Sequence, residues 1–139
     1  MDGLLQERDI RNLNLNADLV VLSACDIGKG RLQGQEGMIN LVRAFFYAGA
    51  RTVVASLWEA DDRSTMALMT GFYSHLIAGK DKADSLRLAK LDFLRQFGKN
   101  APVFHWGGFL VFGEANSAIQ LQDERGPEKE VEIPSPAVR

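Results

Sequence analysis

Two short apolar runs constrain this chain more than any other feature. "DLVVLSA" (residues 18–24) and "RTVVASLW" (residues 51–58) are rich in β-branched residues and hold almost no polar side chain at their centres. A strand with one face in water alternates apolar and polar positions. A near-continuous apolar run of this length fits a strand buried on both faces of a parallel sheet. Between the two runs lies "GMINLVRAFFYAGA", in which Met38, Leu41, Val42, Phe45 and Phe46 recur at helical spacing and form one stripe. Gly49 follows where a left-handed C-terminal cap belongs. Strand, helix and strand at this spacing predict a right-handed βαβ unit with a parallel sheet.

The pattern continues as far as Gly113. "DDRSTMALMTGFYSHLIAGK" predicts a helix started by Asp61 or Asp62, with Met69, Phe72, Tyr73, Leu76 and Ile77 on one face and Gly79 as its stop. "DKADSLRLAKLDFLRQFG" predicts another, begun near Asp81 or Asp84, with Leu86, Ala89, Phe93, Leu94 and Phe97 inward. "WGGFLVFG" is a last short strand, and "LLQERDIRNLNL" allows a short first helix from Asp9. The expected architecture is α/β, with three layers and a mostly parallel sheet over residues 1–113. Three strands are few against the usual five or six. The sheet therefore reads as incomplete, as in a fragment or in a chain that completes its sheet with another chain. From Glu114 to Arg139, charges, amides and Pro127, Pro134 and Pro136 leave too little apolar area to offset ordering entropy, which predicts a flexible tail.

Composition excludes several classes. A net charge of -2 offers no basic surplus for nucleic acid. No apolar run approaches the roughly 20 residues of a membrane span. Residues 1–16 lack the basic and apolar regions of a signal peptide. A single cysteine forms no intrachain disulfide, so a cytoplasmic setting is expected. Two histidines and one cysteine without paired spacing make no metal site, and no cofactor is expected.

Two features of the first strand's end bear on chemistry. Gly28, Gly30 and Gly34 form G-x-G-x-x-x-G between strand and helix, with Glu59 placed after the second strand like a ribose-binding acid. A dinucleotide fold needs a tight turn that brings the helix N-terminus to the pyrophosphate. Here about ten residues intervene before the helical pattern begins, which argues against a nucleotide cradle and for a simple surface loop. The other feature is Cys25. At the end of a buried strand it reads as a small core hydrophobe. Yet ligands gather at the C-terminal edge of open α/β sheets. The flanking Ser23 and Ala24 are small, and a glycine-rich loop follows. A nucleophilic thiol would also need activation, since at pH 7 only a few per cent of free cysteine is thiolate.

In order along the chain, "DLVVLSACDIGKG", "QEGMINLVRAFFYAGARTVVASLWEADDRST", "FYSHLIAGKDKADSLRLAKLDFL" and "HWGGFLVFGE" resemble the C-terminal half of a CHAT domain. These are caspase-like and separase-like cysteine peptidase domains of clan CD, often found beside tetratricopeptide repeats in bacteria. The resemblance implies a caspase-like fold. It makes Cys25 the nucleophile, with its backbone N–H contributing to the oxyanion hole. It also implies a protein or peptide substrate and a longer, repeat-bearing parent. The family's base is a histidine in an upstream His-Gly motif, and no histidine precedes Ala17 here. The resemblance therefore implies the nucleophile-bearing half of an endopeptidase, inactive alone.

"SLWEADDRST" is similar to the separase stretch whose aspartate helps bind a P1 arginine, which points to Asp62 as a selector of basic P1 residues. Asp61 or Asp62 also suits a helix cap. Asp26 and Glu36 flank the loop after Cys25 and are further substrate-side candidates, although Glu36 fits the start of the next helix. His75 is expected as a helix-surface or packing residue, and His105 at the opening of the last strand. The competing function is a non-catalytic CHAT-like interaction module. An uncovered sheet edge would further invite self-association.

Overall fold

The structure, a computed structural model, describes residues 7–23, 34–98, 100–119 and 131–132. The elements run α1 (Glu7–Arg11), β1 (Val20–Leu22), α2 (Gly34–Ala48), β2 (Thr52–Ser56), α3 (Asp62–Ile77), α4 (Lys82–Phe97), α5 (Val103–Trp106), β3 (Phe109–Gly113) and β4 (Val131–Glu132). The sheet order is β3-β2-β1-β4. β1 pairs in parallel with β2, Val20 opposite Val53 and Leu22 opposite Ala55. The two-residue β4 also lies parallel to β1. β3 pairs antiparallel with β2, Ser56 opposite Phe109. The fold is mixed α/β, as expected. The sheet is small and only partly parallel, because the last long strand returns directly beside β2.

All five residues of β2 are buried, which explains its unbroken apolar sequence. Successive strand residues point to opposite faces, and the two faces carry separate cores. Val20, Leu22, Val53 and Ala55 pack with Ile10 of α1 and Met38, Leu41, Val42 and Phe45 of α2. Leu19, Val54 and Phe109 pack with Leu68, Phe72 and Leu76 of α3 and Leu86, Ala89 and Phe93 of α4. The sheet thus lies between two helical layers. The α2 stripe is buried as its spacing predicts, with Phe46 packed at the margin. On α3 the expected inward face stops short: Ile77, the last residue of the helix, is 71% exposed. On α4, Leu94 and Phe97 are half-buried.

Both predicted turns at the ends of α2 and α3 use glycine, and Gly49 shows why. The Ala50 N–H donates to the Phe45 carbonyl at 3.0 Å and the Gly49 N–H to that of Phe46 at 3.1 Å, a Schellman closure. Gly49 has φ +113°, and a Cβ there would overlap the Leu15 carbonyl oxygen. That overlap arises because Leu15 crosses the helix end, its N–H donating to the Ala48 carbonyl at 2.7 Å.

The expected boundary at Gly113 falls within a described, docked stretch. The Ala83 N–H donates to the Ala115 carbonyl at 2.9 Å, and Thr52 Oγ1 donates to the Glu114 carbonyl at 2.6 Å. Lys82, in the first turn of α4, has a fully buried side chain. Its Nζ donates to Asp18 Oδ1 at 3.0 Å and to Ser117 Oγ at 3.1 Å. A buried cation at the positive end of a helix is unfavourable in itself. The Asp18 carboxylate compensates it, and one side chain thereby joins the entry to β1, the start of α4 and the segment after β3. Beyond Ile119 only Val131 and Glu132 of the expected tail are described.

Two outcomes follow, both readable by urea denaturation. Gly49→Ala lowers stability by about 2 kcal/mol, through the left-handed conformation and the carbonyl overlap. Asp18→Ala costs about 3–5 kcal/mol because it strands a buried ammonium, whereas Lys82→Met, which fills the same volume without charge, costs clearly less. Equal losses for the two would disprove the ion-pair account.

Candidate functional site at the C-terminal edge of the sheet

Because β1 and β2 are parallel, the chain leaves both at the same sheet edge. β3 is antiparallel to β2, so its beginning lies at that edge too. Three described segments therefore meet there: Ser23 just after β1, the loop from Leu57 to Asp61, and α5 with the glycines before β3. Cys25 and Asp26 lie outside the described residues, as do Gly28 and Gly30. Gly34 is the first residue of α2. Glu36 is exposed in the first turn of α2, where a carboxylate complements the helix dipole.

The loop between β2 and α3 is closely tied. Ser56 Oγ donates to the Trp58 carbonyl at 2.5 Å. Trp58 Nε1 donates to the Phe104 carbonyl at 2.7 Å, and its ring stacks on Phe104 with centroids 6.3 Å apart. Trp58 also lies against Gly108, where a Cβ would come within 3.1 Å of the indole. The "HWGG" sequence therefore shapes a seat for Trp58. His105 is not at the opening of a strand, as expected from sequence, but inside the single turn of α5. The glycines that seat Trp58 delay the strand to Phe109.

Asp61 is the N-cap of α3. Its Oδ1 accepts from the Ser64 N–H at 2.8 Å, and its Oδ2 accepts from Ser64 Oγ at 2.7 Å. His105 Nδ1 reaches the same Oδ2 at 2.6 Å. Hydrogen bonds from the Ser64 backbone and side chain, with His105 contributing, lower the Asp61 pKa to about 2. Asp62 is exposed in the first helical turn. Of the two aspartates that sequence alone left interchangeable, Asp61 caps. The signal was the spacing Asp-x-x-Ser, with a hydroxyl residue at the third helical position.

Asp61, His105 and Ser64 contain the residue types of a hydrolytic triad but not its geometry. Ser64 Oγ approaches His105 at Nδ1, 3.4 Å away, the same nitrogen that meets Asp61. A relay requires the serine and the carboxylate on opposite ring nitrogens. The cluster is therefore a polar brace. Beside it, an open hollow of about 270 Å³ is lined by Arg63, Ser64, Phe93, Phe97, Ala101, Pro102 and His105. Neither Asp61 nor Asp62 lines it. Arg63 stacks over the Phe97 ring there, 5.8 Å from its centroid. His75 sits away from this edge, in the last turn of α3, where Nε2 meets Asp92 Oδ2 of α4 at 2.6 Å. Sequence reading missed the Trp58–Phe104 and His105–Asp61 contacts because each joins residues more than 40 positions apart.

The family model of the CHAT domain matches residues 1–114. The chain belongs to the CHAT domain family. Tetratricopeptide repeat protein 28 of Mus musculus is 32% identical over 110 residues, covering 79% of this chain and 4% of that protein. The Homo sapiens protein of the same name is 30% identical over 110 residues, with the same coverage. The chain thus spans 4% of the length of the curated relatives it matches. Within this CHAT chain, no helix among the described residues is long and apolar enough to cross a membrane. Nor do the described residues group three or more metal-ligating side chains.

The depressed pKa fixes a pH dependence. A carboxyl whose folded pKa lies below its unfolded value stabilises the fold above the unfolded pKa, and that contribution fades as pH falls through the folded one. Wild type should therefore exceed Asp61→Ala in stability at pH 5 and above. The gap should narrow from about pH 4 downward and be smallest at pH 2 and below, as followed by denaturation at a series of pH values. A gap unchanged down to pH 2 would refute the ionised cap.

Proposed function

We propose that this chain is the nucleophile-bearing half of a CHAT cysteine endopeptidase domain that prefers a basic P1 residue. Cys25 lies three residues beyond Leu22, and Asp62 lies six beyond Ser56, so both follow parallel strands that end at one sheet edge. That shared edge, in a chain whose residues 1–114 match a family related to caspase-like peptidases, carries the reading. In the reaction, the Cys25 thiolate attacks the scissile carbonyl carbon, and the oxyanion takes hydrogen bonds from backbone N–H groups, including that of Cys25. Collapse breaks the C–N bond, and the leaving amine takes a proton from a general acid. Water then releases the acyl group. Asp62 is the carboxylate for a P1 guanidinium, which it would pair in a bidentate fork. It is exposed and leaves the capping role to Asp61.

The acid–base partner is assigned to another segment. This chain has two histidines, and each has a nitrogen held by an aspartate, His75 by Asp92 and His105 by Asp61. A longer, tetratricopeptide-repeat-bearing parent in a cytoplasmic setting is the proposed source of the His-Gly motif. Losing a general base costs typically about 10²–10⁴ in rate.

Two measurements test the proposal. The chain alone should leave Arg-P1 peptides uncleaved, and Cys25 should react with iodoacetamide at neutral pH no faster than a free thiol. A parent protein containing the upstream segment should cleave after Arg, lose activity with Cys25→Ala, and lose its basic preference with Asp62→Asn. A much faster alkylation of the isolated chain, or a parent indifferent to Cys25→Ala, would overturn the reading.

A further inference from the structure

We propose that His105 is a positioning residue: its Nδ1–H bond to Asp61 holds the loop of residues 57–61 against α5, and so sets where Asp62 stands. The consequence for recognition rests on Asp62 as a P1 selector, but the brace itself does not depend on that reading.

α5 spans only Val103–Trp106. It is a single turn, without a side-chain cap, and Val103 and Phe104 are 57% and 51% exposed. One helical turn does not sustain itself, because nucleation fixes several residues for one hydrogen bond. Contacts to its neighbours must hold it. The Leu57 N–H donates to the Gly108 carbonyl at 2.9 Å, Trp58 Nε1 donates to the Phe104 carbonyl, and His105 meets Asp61. Of these, only the last involves a charged partner, and charge-assisted bonds are shorter and stronger than neutral ones. It also bears on the residue adjacent to Asp62.

The proton arrangement follows from chemistry. An ionised carboxylate only accepts, so Nδ1 must donate. Asp61 stays ionised above about pH 2. Nδ1 therefore carries the proton of this bond. The neighbouring charged side chain is Arg63, which lines the same hollow, and the Phe104 ring meets the imidazole edge-on at 5.7 Å. Neither accepts a proton from Nδ1, so Asp61 and the more distant Ser64 hydroxyl are the groups that compete for it.

The experiment compares His105→Asn, His105→Gln and His105→Phe in the full chain. An Asn amide nitrogen stands where Nδ1 does, while that of Gln stands near Nε2, and Phe has neither. Amide hydrogen exchange at Leu57 should be about tenfold faster in the Gln and Phe variants, as loss of a bond to a charged group requires, and within about twofold of wild type in the Asn variant. Nitrogen-15 imidazole spectra of the wild type should show the Nδ1–H tautomer once the ring is neutral. An Nε2–H tautomer, an Asn variant as fast as Phe, or three variants that exchange like wild type would each overturn the proposal. Neither readout requires peptidase activity, so failure of the peptidase reading would leave this result standing.

Discussion

The parallel pairing of β1 with β2 is the constraint from which the rest follows. Val20, Val53, Val54 and Ala55 are buried at the centre of the sheet, so neither face of this pair can meet water. Each face must then be covered by helices, and the two cores are the result. A parallel connection also carries the chain from one end of the sheet back to the other, which is the work of α2. Gly49 ends that helix where Leu15 crosses it, with no room for a side chain. The same pairing brings both strand ends to one edge, so the geometry that builds the core also gathers the candidate chemistry.

At that edge the two adjacent aspartates differ in their surroundings. Asp61 is held by Ser64 and His105 and serves the fold. Asp62, one residue on, is exposed in the first helical turn. The cap formed by Asp61 thereby fixes the backbone on which Asp62 stands. Trp58 and the two glycines before β3 reinforce that backbone from the other side. The membership of the CHAT family gives this arrangement a context, and the geometry separates the supporting residues from those proposed to act.

Much of the architecture was legible because burial on both faces and burial on one stripe leave different periods in sequence. The valine-rich runs became β1 and β2, and the stripe from Met38 to Phe45 became the inner face of α2. Asp61 and Asp81 were both readable as candidate caps, since each stands three positions before a residue whose amide it binds. Ile77 misled because helical periodicity continues to the last residue whether or not anything packs there. His105 misled because "VFHWGGF" reads as the approach to a strand, whereas the glycines make room for Trp58.

By itself, then, the sequence determined the α/β class, most of the helix stripes and caps, and the family resemblance. These are written in local spacing and in residue types whose preferences act over a few positions. Only the tertiary structure decided that β3 runs antiparallel to β2, that Lys82 is buried on Asp18 and Ser117, and that His105 belongs to Asp61. Each of these joins residues at least 35 positions apart. No local preference encodes such a contact. It forms when the two helical layers close over the sheet and polar groups brought together must satisfy one another or remain unpaired.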